Sequence, residues 1–508
     1  MKSFLCLAAL GLALAIVTPA QSGEEPELNK RARSPFGIAW GYLYGHFGAE
    51  PGPYLPGVRS LGADLSRVIL FWEQLEPQQG RFDWSALDHY VQELRSPDEG
   101  FVTLYSASSW ATRLSAVLMP AAPAKDPDDY YRFVFETVKR HAGRVRYWGN
   151  DAEPTNPAFW AGSAEDFIKQ LQIFHRAVKD ADPQALVVLG GCDGLFIPPG
   201  LKLPNGDPVP PMPHQDVALA FFDQVLREAS DAFDVFDLRL YLEPEMIVPR
   251  VEYIRARMRA NGYEKPIIGG EYGGPSFFEF PENWKYLDLV TRWSVTTDEQ
   301  GRPTVDPTIG QAIARMYDEM STLSPQTQMF MQGCPPELDA KLRRIQSRTL
   351  VMQNLFALAA GVERSLYWNY SPATNERDDI MYLMFGKFAL LDRRGDTMQL
   401  TETAAAFQRM TSVMAGVQSV AQVSVPQQPA ILLFKVDRGS RGTAWAVWER
   451  RDRFSGEDAP PIEFTWPTNW RRAAALDALG AQPNVNVSEG RLSVLIGATP
   501  TFIFEASE

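Results

Sequence analysis

Cysteine and histidine are both scarce in this chain of 508 residues. There are three cysteines and five histidines, and no histidine stands at a ligand spacing from a cysteine or another histidine. Tetrahedral zinc sites are built from such clusters, so we expect no metal, and we expect no other cofactor. Cys192 and Cys334 could form a disulfide in an oxidising compartment, but their wide separation in sequence leaves the bridged and the free form both open.

Basic charge is also in deficit. Lys and Arg total 49 against 62 Asp and Glu, which gives a formal net charge of −13. Nucleic acids and anionic membrane surfaces are bound by basic patches, so neither is expected as a partner. A highly acidic polymer is a disfavoured substrate for the same reason, although a local basic cleft can override the net charge.

Long hydrophobic runs are missing after the N-terminus. The one apolar run there, Phe4–Val17, is too short for a comfortable transmembrane helix. Lys2 precedes it, and the small residues Thr18-Pro19-Ala20 follow it. This pattern predicts a signal peptide over residues 1–20, with export to the periplasm or the extracellular space and no insertion in a membrane.

What the chain does contain is enough apolar material for a large interior. Hydrophobic residues make up 45% of it and aromatic residues 12%, and its length favours two domains. From about residue 36, short apolar runs alternate with helical patterns, which indicates repeated βα units. Eight strands are predicted: Phe36–Leu43, Ser66–Trp72, Phe101–Ser106, Val145–Asn150, Ala185–Gly190, Phe233–Leu240, Pro266–Gly270 and Arg364–Trp368. We therefore expect an α/β fold, a (β/α)₈ TIM barrel over residues 21–400.

Two connections in this region are unusually long. Asp193–Gln215 follows the fifth strand and is rich in proline and glycine, and Tyr272–Asp339 follows the seventh strand. Both lie after strand C-termini, where long loops commonly shape a binding cleft. For the loop after the fifth strand, a plain surface insertion is an equally good interpretation.

The pattern changes beyond about residue 400. Short alternating strands joined by turn residues replace the βα units, and no helical pattern separates them. The predicted strands are Ala430–Val436, Thr443–Glu449, Ile462–Trp466, Ala473–Leu476, Leu492–Ile496 and Thr501–Phe504. This indicates an antiparallel β-sandwich domain over residues 401–508.

Two glutamates close predicted barrel strands. Glu153 follows the fourth strand and precedes Pro154, while Glu271 follows the seventh strand and two glycines. The C-terminal ends of barrel strands carry the active site in this architecture. Two carboxyl groups that face each other across that mouth are what the hydrolysis of a sugar acetal requires.

Four segments of the chain resemble the retaining glycoside hydrolases of clan A. They are Arg67–Val91, Tyr147–Phe167, Lys265–Gly274 and Gly361–Tyr370, and they occur in the family's order. The similarity is strongest to the family 39 and family 5 barrels, many of which also carry a C-terminal sandwich.

The resemblance implies roles for five residues. Glu153 matches the general acid/base and Glu271 the nucleophile. Arg67 matches the arginine that keeps the nucleophile ionised, and Tyr241 matches a tyrosine that donates a hydrogen bond to it. Trp368 matches the tryptophan that forms the floor of the sugar subsite.

The chain departs from this pattern at two positions. Ala152 stands where the family usually has an asparagine that contacts the sugar C2 hydroxyl, and Asn150 lies two positions earlier. Arg239 replaces the histidine of the strand-six His-x-Tyr pattern. Asn150, Arg239 and Asp151 are therefore further candidates for contact with the substrate, Asp151 because strand alternation places it on the same side as Glu153.

The sequence thus predicts an exported, metal-independent retaining glycosidase that acts on a poly- or oligosaccharide. Two alternatives use the same residues. One is a catalytically silent barrel that binds glycans, and the other is a transglycosylase in which a sugar replaces water as the acceptor.

Overall fold

A computed structural model of the chain describes residues 34–40, 44–45, 54–192, 197–204, 206, 209, 215–291, 296–297, 303–304, 307–371, 380, 382–394 and 397–506. The predicted leader over residues 1–20 lies outside the described residues. So does part of the loop that follows the fifth strand.

Eight parallel strands close into a barrel, as the sequence predicts. In the ring they follow the order β1-β8-β7-β6-β5-β4-β3-β2. Each overlaps a predicted strand, and their ends differ from the prediction by a few residues. The strands are β1 (Phe36–Ala39), β2 (Leu65–Phe71), β3 (Glu99–Tyr105), β4 (Tyr147–Asn150), β5 (Leu186–Cys192), β6 (Val235–Arg239), β7 (Ile267–Tyr272) and β8 (Ser365–Trp368).

Helices connect the strands and surround the barrel. Their bounds are α1 (Tyr54–Ser60), α2 (Trp72–Leu75), α3 (Ser85–Glu93), α4 (Pro127–Arg140), α5 (Ala164–Ala181), α6 (Gln215–Glu228), α7 (Ile247–Ala260), α8 (Leu287–Thr291), α9 (Pro307–Asp318), α10 (Pro325–Gln328), α11 (Pro336–Ala359) and α12 (Glu402–Val413). Side-chain caps fix several of the starts, of which two belong to helices that separate barrel strands. Asp126 accepts a hydrogen bond from the Asp128 N–H at the start of α4, and Ser163 forms a capping box with Asp166 at the start of α5.

Shorter elements fill the connections. Single helical turns cover Pro244–Met246, Phe277–Glu279, Pro281–Tyr286, Met320–Thr322 and Tyr382–Gly386 in the barrel, and Gly439–Arg441 and Gly456–Asp458 in the C-terminal part. Two small hairpins pair Thr296–Thr297 with Pro303–Thr304 and Leu391–Arg394 with Thr397–Leu400.

An apolar layer fills the lower part of the barrel interior. It is formed by Leu65, Phe101, Tyr147, Val188, Val235, Ile268 and Leu366, with Leu186 packed against it. Successive inward positions in a strand are two residues apart. The next inward positions on β2, β3 and β6 are therefore Arg67, Thr103 and Asp237, which lie closer to the C-terminal mouth. The apolar layer is the floor on which the polar groups of the mouth rest.

The C-terminal part is a β-sandwich of two antiparallel sheets. Its strands are β9 (Ser419–Val423), β10 (Ile431–Asp437), β11 (Thr443–Glu449), β12 (Ile462–Pro467), β13 (Ala473–Asp477), β14 (Val485–Ser488), β15 (Arg491–Ile496) and β16 (Thr501–Glu505). One sheet has the order β9-β10-β11-β16-β13 and the other β12-β15-β14. The six predicted strands are all present. Strands β9 and β14 were not predicted; both are short edge strands in which polar and small apolar side chains alternate and most side chains are exposed or partly exposed.

The sandwich and the barrel form one compact unit. Phe356 of α11 meets Phe434 and Trp448 of the sandwich, with ring centroids 5.0 and 6.2 Å apart. Helix α12 packs on the barrel, since Phe407 contacts Phe36 of β1 and Tyr367 of β8. The boundary at residue 400 stays a prediction, because the two parts share this core.

Ion pairs reinforce this contact. Glu457 of the sandwich pairs with Arg344 at 2.7 Å and with Arg348 at 2.6 Å, both on α11. Arg453 of the sandwich pairs with Glu279, at 2.7 Å, and with Glu243 in the loops that follow β7 and β6. The sandwich therefore holds the same loops that leave the barrel mouth.

Cys334 is a buried free cysteine. Of the two forms that the sequence left open, the structure shows Cys334 in the free one. Among the described helices, none combines the length and the apolar character needed to cross a bilayer.

Candidate active site

Glu271 ends the inward face of strand β7 and is 6% exposed. Arg67 of β2 reaches across the barrel, and its Nη1 donates to Glu271 Oε1 at 2.7 Å. The hydroxyl of Tyr241, two residues beyond β6, donates to Glu271 Oε2 at 3.1 Å. Both oxygens of this carboxyl group are therefore held by hydrogen-bond donors.

Glu153 lies three residues beyond strand β4. Its backbone adopts the left-handed region, with φ of +49°, which is uncommon for a residue with a side chain and costs about 1–3 kcal/mol. Two backbone hydrogen bonds hold this conformation, since the Glu153 N–H donates to the carbonyl of Gly191 at 3.0 Å and its own carbonyl accepts from Asn156 at 2.9 Å. The Glu153 side chain is 18% exposed, so its carboxyl group is the more open of the two.

Arg239, the last residue of β6, lies between the two glutamates. Its Nε is 3.4 Å from Glu153 Oε1, and its Nη2 is 2.9 Å from Glu271 Oε1. Its Nη1 donates to Asp237 Oδ2 at 2.7 Å. Burial lowers the pKa of Arg239, but the carboxylates of Asp237, Glu271 and Glu153 outweigh it and raise the pKa above the ordinary value.

Two glycines make room for this arrangement. A Cβ atom on Gly191 would lie 2.4 Å from Arg239 Cζ, and a Cβ atom on Gly270 would lie 2.2 Å from Asp237 Oδ2. The Gly270 N–H also donates to Asp237 Oδ1 at 2.8 Å. Of the paired glycines before Glu271, Gly270 is thus explained by the close approach of Asp237, and Gly269 by that of Leu240, whose Cδ1 would lie 2.3 Å from an added Cβ.

The sequence analysis missed three polar side chains of the site. Asp237 holds Arg239, and Thr103 Oγ1 accepts a hydrogen bond from Arg67 Nε at 3.0 Å. Tyr105 is buried, and burial raises its pKa. The charges of the two glutamates raise this pKa further, while those of the two arginines lower it. Inward alternation along β3 and β6 is the signal that would have found all three.

Asn150 and Asp151 are buried and engaged by side chains outside the cluster. Asn150 Oδ1 accepts a hydrogen bond from the Tyr130 hydroxyl of α4 at 2.8 Å. Asp151 accepts from the Ser106 N–H at 2.7 Å and from Gln170 of α5 at 3.3 Å. Burial raises the pKa of Asp151 to about 7, against the effect of these hydrogen bonds. Neither side chain is open to the barrel mouth.

Trp368 ends strand β8, which neighbours β7 in the ring. It is 8% exposed, and its peptide bond to Asn369 is cis. The structure thus brings five of the predicted residues into one hydrogen-bonded or ion-paired cluster, and Trp368 lies on the strand beside it. The five are Glu153, Glu271, Arg67, Arg239 and Tyr241.

The partners recorded for the two carboxyl groups are guanidinium and hydroxyl donors. Within the ranges that the structure describes, no group of three His, Cys, Asp or Glu side chains could hold a metal ion. Such a site can stabilise an attacking carboxylate and can move a proton to or from a second carboxyl group.

Solved structures share this fold. A family 39 glycoside hydrolase from Bacteroides cellulosilyticus matches with a TM-score of 0.62 and 14% identity, over 93% of this chain and 81% of that one. A family 39 β-xylosidase from Caulobacter crescentus matches with a TM-score of 0.52 and 12% identity, over 94% and 98%. A glucosidase from Croceicoccus marinus matches with a TM-score of 0.51 and 13% identity, over 94% and 97%.

Comparison with protein-family models finds no match, and comparison with curated proteins finds none either. At 12–14% identity, the structural likeness establishes the fold. It confirms, at that level, the family 39-like barrel with a C-terminal sandwich that the sequence resembles.

Proposed function

We propose that this protein is a retaining glycoside hydrolase that cleaves a poly- or oligosaccharide, with Glu271 as nucleophile and Glu153 as acid/base. The observation that carries the proposal is the cluster at the barrel mouth. There the two carboxyl groups contact one guanidinium, and Glu271 is also held by Arg67 and Tyr241. The fold, which it shares with family 39 glycoside hydrolases, supports the same activity.

The position of Arg239 supports the retaining form of the reaction. Nε and Nη2 lie on the same edge of a guanidinium, an edge on which a single carboxylate usually binds with both oxygens. Here Nε contacts Glu153 and Nη2 contacts Glu271. Two oxygens that lie 3.4 and 2.9 Å from adjacent nitrogens of one guanidinium are close together. That favours the separation of about 5–5.5 Å used in retention over the roughly 6.5–9.5 Å that leaves room for a water molecule in inversion.

In the first step, an oxygen of ionised Glu271 bonds to the anomeric carbon as the bond from that carbon to the leaving oxygen breaks. The proton of Glu153 moves to the leaving oxygen. Glu271 Oε1 is held by two cations, whereas Oε2 accepts only the neutral Tyr241 hydroxyl among its recorded hydrogen bonds and ion pairs. Oε2 therefore keeps the more available electron pair, and we assign the attack to it.

In the second step, Glu153 acts as a base. It takes a proton from a water molecule whose oxygen bonds to the anomeric carbon, and the ester bond to Glu271 breaks. The carboxylate of Glu271 is restored with its charge. Two displacements at the same carbon return the original anomeric configuration.

Recognition of the sugar differs from the family pattern. Ala152 is 1% exposed, so the residue before Glu153 offers no polar side-chain atom to the C2 hydroxyl. Asn150 is engaged with Tyr130 and does not take over that contact. We propose that the subsite is completed by Trp368, with Arg67 and Arg239 acting through the glutamates.

The test is a glycan panel with the purified protein, with the anomer of the first product read by NMR. We expect hydrolysis with retention, which Glu271→Gln abolishes and Glu153→Gln strongly reduces. Glu136→Gln, on the exposed face of α4, is the matched control. No hydrolysis by the wild-type protein would favour a silent glycan-binding barrel. Preferred transfer to sugar would favour a transglycosylase, and an inverted product would refute the mechanism.

We also propose that the protein acts outside the cytoplasm. The apolar run Phe4–Val17 between Lys2 and Ala20 supports this. N-terminal sequencing of the protein from its native host tests it, and a mature chain that begins at Gln21 is expected. Retention of the first residues in a cytoplasmic fraction would refute export.

A further inference from the structure

The guanidinium of Arg239 is shared between two carboxyl groups that must exchange charge during the proposed reaction. Arg239 is fully buried. Its Nη2 is 2.9 Å from Glu271 Oε1, yet within the described part of the chain Nη2 has no aligned hydrogen bond. Its Nε is 3.4 Å from Glu153 Oε1. Neither contact has the geometry of a strong hydrogen bond. The Nε and Nη2 donors of Arg239 can therefore strengthen their contact with either glutamate.

The proposed mechanism fixes the charges of the two glutamates before the first step. Among the ion pairs recorded for the described residues, Arg239 and Arg67 contact Asp237, Glu153 and Glu271. In the proposed mechanism Glu153 then carries the proton and Glu271 the charge. The two negative charges of Asp237 and Glu271 face the two positive charges of Arg67 and Arg239.

The balance is restored after the first step with the roles exchanged. Glu271 is then a neutral ester, and Glu153 has given its proton to the leaving oxygen. The negative charges are now on Asp237 and Glu153, and they again face Arg67 and Arg239. The charge of the cluster is the same before each step, although the anion has moved from one glutamate to the other.

We propose that Arg239 is the shared counter-ion of the two glutamates, stabilising the anion on Glu271 before the first step and the anion on Glu153 before the second. This inference rests on the proposed retaining mechanism and adds a role to a residue that replaces the usual histidine. Arg239 acts through Glu153 and Glu271 and is therefore a positioning residue.

The surroundings of Arg239 fit this role. Asp237 anchors Nη1 at 2.7 Å, and the absence of a side chain at Gly191 leaves room for Cζ. The guanidinium can therefore stay in place while the anion moves. Among the described residues, Tyr105 and Tyr241 also interact with the two glutamates, and their pKa values are raised. Both remain neutral near pH 7.

The test is Arg239→Gln, compared with Arg239→Lys and with the remote control Arg227→Gln. The substrate is a dinitrophenyl glycoside of whichever sugar the wild-type protein hydrolyses. With this leaving group, the burst rate reports the first step and kcat reports the second. We expect Arg239→Gln to slow both steps by about 100-fold. With an unactivated glycoside, whose leaving oxygen must be protonated, we expect both limbs of the pH profile of kcat/KM to move to higher pH. Arg239→Lys should recover part of each effect because it keeps the charge.

Three outcomes would overturn the inference. One is a change in KM alone with unmoved pH limbs, which would make Arg239 a substrate-binding residue, as the sequence suggested. Another is a defect confined to the first step, and the third is full activity in Arg239→Gln. Circular dichroism and thermal unfolding check that each variant is folded. If Arg239→Gln does not fold, the same measurements are made on Arg239→Lys alone. If the wild-type protein is inactive or inverting, or Glu271→Gln is active, the proposed function itself has failed.

Discussion

Gly270 and Asp237 are so close that a Cβ atom on Gly270 would lie 2.2 Å from Asp237 Oδ2. Asp237 in turn holds Arg239 at 2.7 Å, and Arg239 is paired in register with Glu271 across β6 and β7. The register of the pairing between β6 and β7 also shifts between Asp237 and Arg239. Such irregularities are common beside active sites. A glycine in β7 therefore determines the position of a cation on the neighbouring strand.

The first prediction is that Gly270→Ala disrupts the site. The added methyl group must displace Asp237, and Arg239 then loses its anchor. We expect kcat/KM to fall by about 100-fold or more, as when a transition-state donor is lost, and the free energy of unfolding to fall by about 1–3 kcal/mol. Gly497→Ala is the control, because its Cβ would meet the nearest atom, Arg451 Nη1, at 3.6 Å. Equal activity of the two variants would contradict this account.

The second prediction concerns the hydroxyl that donates to the nucleophile. Tyr241→Phe removes the 3.1 Å hydrogen bond to Glu271 Oε2 and preserves the ring. A hydrogen bond to a charged group contributes roughly 1.5–3 kcal/mol, so kcat/KM should fall by about 10- to 100-fold. The acid limb of the pH profile should move to higher pH. Tyr263→Phe, whose hydroxyl donates to the distant Leu226 carbonyl, should leave both measurements unchanged.

The third prediction is that buried Asp151 lowers the free energy of unfolding by an amount that depends on pH. Burial raises its pKa from 3.8 to about 7, so between these values the folded protein binds a proton that the unfolded chain has released. Stability contributed by this group falls as the pH rises from about 4 to about 7 and is constant above that. At 1.36 kcal/mol per pKa unit, the cost approaches about 4 kcal/mol.

Asp151→Asn should remove this dependence. Thermal unfolding between pH 4 and 8 would then show the variant gaining stability relative to wild type as the pH rises. Asp231→Asn, at an exposed position, is the control and should run parallel to wild type. A wild-type and Asp151→Asn pair that also run parallel would show that Asp151 is ionised in the folded protein.

The fourth prediction has the opposite sign. Burial raises the pKa of Glu457, but the hydrogen bonds and charges of Arg344 and Arg348 outweigh it and lower the pKa from 4.5 to about 2. The stability that this group contributes is complete above about pH 4.5 and is lost as the pH falls to about 2. Glu457→Gln should therefore cost about 2 kcal/mol at pH 7 and little at pH 2.

Denaturant unfolding of Glu457→Gln and wild type at several pH values measures this difference. Asp458→Asn is the neighbouring control, since the Asp458 side chain is 67% exposed and pairs only with Lys341 among the recorded contacts. We expect it to change stability by less than about 0.5 kcal/mol. A difference for Glu457→Gln that is the same at every pH would contradict the linkage.

Sequence periodicity was sufficient to predict the barrel. All eight strands were found because buried parallel strands are short apolar runs, and helices with clear caps such as Asp126 and Ser163 separate them. The edge strands Ser419–Val423 and Val485–Ser488 were not predicted because each is only four or five residues long and its apolar residues are small and interrupted by polar ones. Long apolar elements are therefore easier to predict than the margins of a sheet.

The site was predicted in part, for a physical reason that two residues illustrate. Strict alternation placed Asp151 beside Glu153 at the mouth. Both residues instead adopt positive φ, +50° and +49°, and the left-handed backbone breaks the alternation. Asp151 turns toward Ser106 and Gln170. On β6, by contrast, the alternation is regular. It would have predicted that Asp237 lies on the same face of the strand as Arg239.

The shared aromatic core of Phe356, Phe434 and Trp448 has a consequence for engineering. A chain cut at residue 400 would turn Phe356 toward water and would remove the helix that covers strands β1 and β8. The sandwich therefore cannot be replaced by another domain without loss of this shared core. A foreign carbohydrate-binding module should be fused beyond Glu505, where the last strand has already completed its sheet, and not spliced in place of residues 401–508.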